Sequence, residues 1–176
     1  MKILIISNSL WNLYNFRRNL IIKLDTNKDN YIHIVCEKSS NIHENFNLNK
    51  NNINFINFNS NSLNVFYNLL LFIKIYRLIL KIKPDIVLSF TIKPNIYASL
   101  CCKLYNIPII NNITGLGYFL EKGILLRNCI KLLYKLIFGI NSYVFFQNNE
   151  DMNFFKNFFL KKKNGDFSVF FFFFSP

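Results

Sequence analysis

The chain has 176 residues, of which 52% are hydrophobic, with 21 Lys and Arg against 9 Asp and Glu. This length accommodates one ordinary domain, and the apolar content excludes a disordered chain. Four cysteines are too few for a disulfide scaffold, and we expect them as free thiols in a reducing compartment. The net charge of +12 points to an anionic partner such as membrane lipid, nucleic acid or a phosphate-bearing small molecule.

The first third of the chain predicts strands separated by one helix. The apolar run at 3–6 is too short for a signal peptide and is typical of a buried strand. Residues 14–24 carry apolar side chains at helical spacing, and 31–36 and 53–58 predict two further strands. A polar loop is expected between them.

From residue 62 onward, helices and strands alternate. Ser62 is a plausible N-cap for a helix that Pro84 ends, and Pro94 is expected at the start of the next helix. Asn148 or Asn149 can cap the last one. The remaining predicted strands are 85–90, 109–112 and 142–147, and the remaining predicted helix is 123–138.

This alternation predicts an α/β fold, a Rossmann-like parallel sheet with helices on both faces. The strands are mostly continuous apolar runs, which is typical of strands buried on both sides. Such sheets bind ligands in the crevice at the carboxyl ends of their strands. The loops that follow the strands are therefore where binding residues are expected.

The sequence lacks the motifs of several common enzyme classes. The sequence has no GxxxxGK[ST] phosphate loop, and the loop after the first strand has no glycine, which argues against a P-loop NTPase and an NAD dehydrogenase. With only two histidines, neither a metal cluster nor a Ser/His/Asp arrangement can be assembled. The basic residues are scattered and form no nucleic-acid motif, so we expect neither a metal nor a nucleic-acid partner.

The sharpest local signal lies in two loops that follow neighbouring predicted strands. The first is a Thr-x-Lys-Pro turn with Thr91 and Lys93, and the second is a Thr-Gly-Leu-Gly loop at 114–117. Lys93 offers a cation, while the threonines and the glycine-loop amides offer hydrogen bonds. The pair suits a phosphate or sugar ligand.

Two predicted helices combine apolar residues with a narrow cationic stripe. On the first, Lys74, Arg77 and Lys81 fall within ~60° of each other at the helical repeat. Such helices suit the surface of an anionic membrane. They also suit a helix packed on a sheet with a solvated stripe, and that alternative stays open. The second stripe consists of Arg127, Lys131 and Lys135.

Four stretches carry a family resemblance: KILIISNSLWNLYNFRRNL, KPDIVLSFTIKPNIYASL, IPIINNITGLGYFLEKG and VFFQNNEDMNFF. In this order they resemble the N-terminal domain of GT-B glycosyltransferases of the family 4 group. The resemblance implies a retaining, metal-independent transferase with no cofactor, which moves a hexose or N-acetylhexosamine from a nucleotide-sugar to a lipid-linked or surface glycan. It assigns no catalytic residue. The acceptor and cleft residues it implies are Asn8, Asn15, Arg17, Thr91, Lys93, Thr114, Gly115 and Gly117.

The resemblance also sets the expected domain organisation. Residues 1–160 form the acceptor-side domain, and the C-terminal donor domain with its two-glutamate motif is absent. Residues 161–176, with Lys161–Lys163 and five consecutive phenylalanines, are expected to be an aberrant or disordered tail, with a terminal strand as the alternative. We therefore expect an acceptor-binding half that is inactive alone, cytoplasmic and peripheral at the inner face of the plasma membrane.

Two other functions remain open from the sequence. One is a non-enzymatic Rossmann-like module that pairs with a separately encoded donor domain. The other is a basic membrane-surface protein without sugar chemistry. The expected partners are accordingly a lipid-linked saccharide acceptor, an anionic membrane surface and a separate donor domain.

Overall fold

The computed structural model has a doubly wound α/β architecture. It describes residues 1–39, 52–59, 62, 64–113, 123–137, 142–159 and 171–173. The strands are β1 (Lys2–Ile6), β2 (Tyr31–Cys36), β3 (Asn52–Phe55), β4 (Ile86–Phe90), β5 (Ile109–Ile113), β6 (Ser142–Phe146) and β7 (Phe171–Phe173). The described helices are α1 (Leu10–Asp25), α2 (Val65–Ile82), α3 (Ile92–Tyr105), α4 (Ile124–Ile137) and α5 (Asn149–Phe159).

The strands form one sheet in the order β3-β2-β1-β4-β5-β6-β7, and every pair is parallel. This confirms the predicted Rossmann-like fold class. The chain moves outward in one direction from β1 to β3, then crosses back to β4 and moves outward in the other. The strand order therefore reverses between β1 and β4, and that point is where doubly wound sheets hold their ligands.

Alternate side chains of the central strands enter two separate cores. On β1, Leu4 and Ile6 pack with α2 and α3, whereas Ile3 and Ile5 pack with α1. A third cluster joins α4 and α5 to β5 and β6 around the fully buried Tyr134. Because strand side chains alternate between faces, α1 and the α2–α3 pair lie on opposite sides of the sheet.

Three helices, α1, α2 and α3, begin at other residues than the sequence predicts, and a side-chain cap explains the first two. α1 starts at Leu10 because the Ser9 side chain accepts a hydrogen bond from the Asn12 amide at 3.2 Å. α2 is capped by Asn64 and not by Ser62, because the Asn64 side chain accepts from the Tyr67 amide at 3.1 Å. Both are N-cap interactions, which satisfy amides that have no partner inside the helix.

Proline placement also departs from expectation at α3. This helix begins at Ile92, so Pro94 is its third residue and not its first. Proline is tolerated there because the first amides of a helix have no intrahelical acceptor. At the end of α2, Lys83 adopts a left-handed conformation before Pro84, as the sequence predicts for a helix stop.

The described part of the C-terminal segment is a strand. Phe171–Phe173 pairs with β6, with Val144 opposite Phe171 in register. These three residues form a terminal strand, which is the alternative that the sequence left open. The open edge of β6 offers backbone hydrogen bonds to such an extended chain. The remainder of 161–176 lies outside the described residues, and the domain boundaries stay a prediction.

Within the part of the chain that the structure describes, no helix is both long and apolar enough to cross a membrane.

Candidate functional site

The crevice at the reversal of strand order is built from the segments that follow β1 and β4. Ser7 follows β1, is fully buried, and its amide donates to the Val35 carbonyl at 3.0 Å. Thr91 follows β4 and occupies the N-cap position of α3. The amino termini of α1 and α3 therefore lie at this edge, where their partial positive charge favours anions and polar ligands.

Thr91 is the most unusual residue of this crevice. Its backbone has φ 73° and ψ 161°, a region that is essentially reserved for glycine and is costly for a β-branched residue. Its hydroxyl is buried without a hydrogen-bond partner and does not cap α3. Its carbonyl accepts from the Asn95 amide at 2.9 Å, which fixes the first turn. The structure thus keeps a strained backbone and an unpaired hydroxyl at the point of strand reversal.

Lys93 is engaged by its own chain. Its ammonium donates to the carbonyls of Asn59 at 2.8 Å and Ser62 at 2.7 Å, and it lies 6.0 Å from the Tyr67 ring centroid. Burial lowers the pKa of Lys93 below its usual value. The sequence predicts that Lys93 offers a cation to a ligand. In the structure its ammonium connects the segment after β3 to the start of α3 through these two hydrogen bonds.

Arg17 lies on the other face of the sheet. Its guanidinium stacks over Phe90 at 5.1 Å, and Nη2 donates to the Asn112 side-chain oxygen at 3.1 Å. The Gln147 amide oxygen, turned toward Arg17, accepts from Nη1 at 3.1 Å. Burial lowers the pKa of Arg17. Arg17 therefore joins α1 to the carboxyl ends of β4, β5 and the residue after β6, and the sheet separates it from Lys93.

The remaining candidates near the first loop have local contacts. Asn8 is half-buried and lies two residues after β1. Its side-chain oxygen accepts a hydrogen bond from the Ser7 hydroxyl at 3.5 Å. Asn15 is exposed on α1, and its side chain donates to the Trp11 carbonyl at 2.9 Å. The structure brings Asn8 close to the crevice, whereas Asn15 belongs to the surface of α1.

Three predicted residues cannot be placed. Thr114, Gly115 and Gly117 lie outside the described residues, so the glycine loop stays a prediction.

The predicted cationic stripes are placed in large part on the surface. Lys74, Arg77 and Lys81 are all exposed on α2, and Lys135 is exposed on α4. Lys131 is half-buried, with its ammonium 4.9 Å from the Phe154 ring centroid. The side chain of Arg127 lies outside the described part of the chain.

Sequence reasoning missed a buried polar seam between α3 and β5. The Ser99 hydroxyl donates to the Asn111 side-chain oxygen at 3.1 Å, and the side-chain Nδ2 of Asn95 donates to the Asn112 carbonyl at 3.0 Å. Ser99, Asn95 and Asn111 are almost completely buried. The seam fixes α3, and with it Thr91, against the sheet. In the sequence, these residues are visible only as polar side chains within otherwise apolar segments.

Among the described residues, no group of three His, Cys, Asp or Glu side chains is arranged to hold a metal ion. The chemistry that this edge offers is therefore hydrogen bonding from hydroxyls, amides and helix N-termini. That set suits the hydroxyl and phosphate groups of a sugar derivative.

A family model described as glycosyl transferase 4-like matches residues 2–148. The chain belongs to this glycosyl transferase 4-like family. The match spans all strands from β1 to β6 and both crevice loops that the structure describes.

Solved structures share the fold of this glycosyl transferase 4-like domain. A UDP-N-acetylglucosamine 2-epimerase is 15% identical with a TM-score of 0.64, covering 97% of this chain and 47% of its own. The UDP-GlcNAc 2-epimerase from Methanocaldococcus jannaschii is 18% identical with a TM-score of 0.58, covering 97% and 45%. UGT73P12 from Glycyrrhiza uralensis, complexed with glycyrrhetinic acid 3-O-monoglucuronide, is 10% identical with a TM-score of 0.52, covering 90% and 46%.

These likenesses establish a GT-B N-terminal domain fold and no more. The glycosyl transferase 4-like domain spans less than half the length of these solved structures. No curated protein matches the sequence.

Proposed function

We propose that this domain binds the saccharide acceptor of a retaining glycosyl transfer. The donor is a nucleotide-sugar, and a hexose or N-acetylhexosamine moves to a lipid-linked or surface glycan. A second domain supplies the donor site, either in the same polypeptide or as a separately encoded partner. The domain alone transfers no sugar. Membership of the glycosyl transferase 4-like family supports this assignment of reaction class.

The observation that carries the proposal is Thr91. Backbone strain of this kind costs about 1–3 kcal/mol and is typical of binding and catalytic positions. The buried hydroxyl lacks a protein partner, and an unsatisfied buried hydroxyl costs about 1–3 kcal/mol more. The hydroxyl oxygen is closed to solvent in this conformation, and a sugar hydroxyl in the crevice can supply the missing hydrogen bond once the Thr91 side chain turns toward it. Both costs fall on one residue at the point of strand reversal, where doubly wound sheets bind their ligands.

The start of α3 supports an anionic group on the same ligand. The Ile92 and Lys93 amides form the first turn of α3, and the Thr91 side chain does not cap them. Amides in this position bind phosphate oxygens because they point along the positive end of the helix dipole. A diphosphate-linked saccharide would satisfy these amides and the Thr91 hydroxyl together.

A membrane surface is the second proposed partner. The first two turns of α2 expose Val65, Phe66, Leu69 and Leu70, with Phe66 at 70% exposure. The later turns expose the cationic stripe of Lys74, Arg77 and Lys81. Exposed apolar residues beside a cationic stripe suit insertion into an anionic lipid surface. This arrangement supports peripheral binding at the inner face of the plasma membrane, next to the crevice that receives a lipid-linked acceptor.

Calorimetric titration tests acceptor binding with two probes, farnesyl-diphosphate-linked N-acetylglucosamine and UDP-N-acetylglucosamine. We expect the first to bind and Thr91→Val to weaken it at least about fivefold, since the change removes one hydrogen bond to the ligand. The matched control is Thr26→Val on the surface end of α1. Tighter binding of UDP-N-acetylglucosamine, or sugar transfer by the pure chain, would contradict the proposal.

Vesicle co-sedimentation tests the membrane partner. We expect binding to phosphatidylglycerol vesicles, a large loss with Lys74→Gln, Arg77→Gln and Lys81→Gln together, and further loss at high salt. Binding to phosphatidylglycerol without any sugar-ligand affinity would instead favour the basic membrane-surface protein. Ligand affinity without vesicle binding would favour a binding module that pairs with a donor domain.

A further inference from the structure

A large apolar groove lies on the α1 side of the sheet, and one of its ends reaches the carboxyl edge where the crevice loops begin. Its volume is about 780 Å³. The floor is the apolar face of β1, β4, β5 and β6, and α1 forms one wall with Phe16, Leu20 and Leu24. Phe16 is 58% exposed and Leu20 is 41% exposed, so this wall is open to solvent.

The polar side chains that line the groove lie at one end. Arg17, Asn112 and Gln147 line the end at the carboxyl edge of the sheet. At the amino edge the lining includes Met1, Leu24 and Ile86, whose side chains are apolar, and the Met1 ammonium donates to the Asp29 carbonyl at 2.5 Å. The side chains of the groove are therefore amphipathic along its length, with the Arg17 guanidinium at one end and hydrocarbon side chains at the other.

Arg17 carries a charge that no described carboxylate balances. Its contacts are the Phe90 ring, the Asn112 and Gln147 side chains and the Phe16 carbonyl at 3.2 Å, all uncharged groups. Its Nε atom is buried and has no hydrogen-bond partner. A half-buried guanidinium without a counter-ion is unfavourable, and an anion beside it would relieve the cost.

We propose that this groove binds a single-chain lipid with an anionic headgroup, the headgroup at Arg17 and the chain along the face of β4 and β5. The inference does not depend on sugar transfer. A five-residue strand is about 16 Å long, comparable to an extended twelve-carbon chain. Each methylene that enters the groove is expected to strengthen binding roughly threefold to fourfold.

Isothermal titration of the full chain with dodecyl phosphate, dodecanol and inorganic phosphate tests the proposal. Dodecyl phosphate is expected to bind with one site, at least about tenfold more tightly than dodecanol, because a charge-assisted hydrogen bond adds to the apolar contact. Inorganic phosphate alone is expected to show no binding. Equal affinity for dodecanol and dodecyl phosphate would overturn the headgroup assignment.

Variants of α1 locate the site. Arg17→Met is expected to lower the dodecyl phosphate affinity at least about tenfold, whereas Arg18→Met on the exposed surface leaves it unchanged. Should Arg17→Met unfold the chain, Leu20→Glu gives an independent test, because it places a carboxylate on the exposed groove wall. Its control is Asn19→Glu. Unchanged affinity in Leu20→Glu, or a dimer that binds no probe and so covers this face with a second copy, would overturn the proposal.

Discussion

Replacing Thr91 with glycine is expected to stabilise the fold while weakening ligand binding. The backbone at φ 73° and ψ 161° is nearly free for glycine but costs threonine about 1–3 kcal/mol. Removing the unpaired buried hydroxyl relieves a further cost of about 1–3 kcal/mol. Against this, glycine adds about 0.4–1 kcal/mol of unfolded-state entropy, and the methyl packing is lost. With about 1 kcal/mol for the lost methyl contact, the midpoints of these contributions leave a net expected gain of about 2 kcal/mol.

Urea unfolding measures this gain directly. Thr91→Gly is expected to raise the midpoint at unchanged m-value, which identifies a stability change rather than a change in the unfolded chain's compactness. Thr91→Ala separates the two contributions, because alanine removes the hydroxyl and keeps the strained backbone. We expect the order of stability to be glycine, then alanine, then threonine. A glycine variant less stable than the wild type would refute the strain argument, and equal glycine and alanine variants would assign the whole effect to the hydroxyl.

Three further changes test the caps, the core and the buried thiols. Ser9→Ala is expected to destabilise the fold by about 1 kcal/mol, measured by urea unfolding, because it removes the cap that accepts the Asn12 amide. Ile75→Ala in the α2 core is expected to cost about 2–5 kcal/mol, against less than about 0.5 kcal/mol for the exposed neighbour Lys74→Ala. Burial raises the pKa of Cys36 and Cys101 from 9.0 to about 12. In the unfolded chain these thiols ionise near pH 9, so the free energy of unfolding should fall between pH 9 and 12, by about 1.4 kcal/mol per pH unit and thiol. Replacing both cysteines by alanine should reduce that slope, while Cys102 and Tyr134, whose pKa values burial also raises, keep the remainder. An unchanged slope would contradict the burial argument.

Much of the fold could be predicted because each strand is an apolar run between turn residues. The runs at β1, β2 and β4 have no polar alternation, which is how strands covered on both faces differ from half-exposed ones. Helix starts were less predictable. Ser62 and Asn64 are both good caps, and the competition between them depends on where the chain leaves β3.

The candidate site was predicted at the level of loops and not of contacts. Thr91 and Lys93 follow β4 as the sequence predicts, but residues 92–94 form the first turn of α3 and not a separate turn. The role of Lys93 was not predictable, since its acceptors at Asn59 and Ser62 lie about thirty residues away in the sequence. The glycine loop at 114–117 keeps its predicted role untested.

The sequence by itself determined the parallel α/β class and the glycosyl transferase resemblance, because apolar periodicity and local motifs are properties of neighbouring residues. Only the tertiary structure decided which cations face which side of the sheet. Arg17 and Lys93 were predicted as partners in one cleft, yet Arg17 packs on Phe90 beneath α1 and Lys93 binds carbonyls beside α2. Side chains of opposite faces are separated by the sheet whatever their spacing in the chain. The physical reason is that hydrogen-bond satisfaction and burial are settled by the whole packing and not by any segment alone.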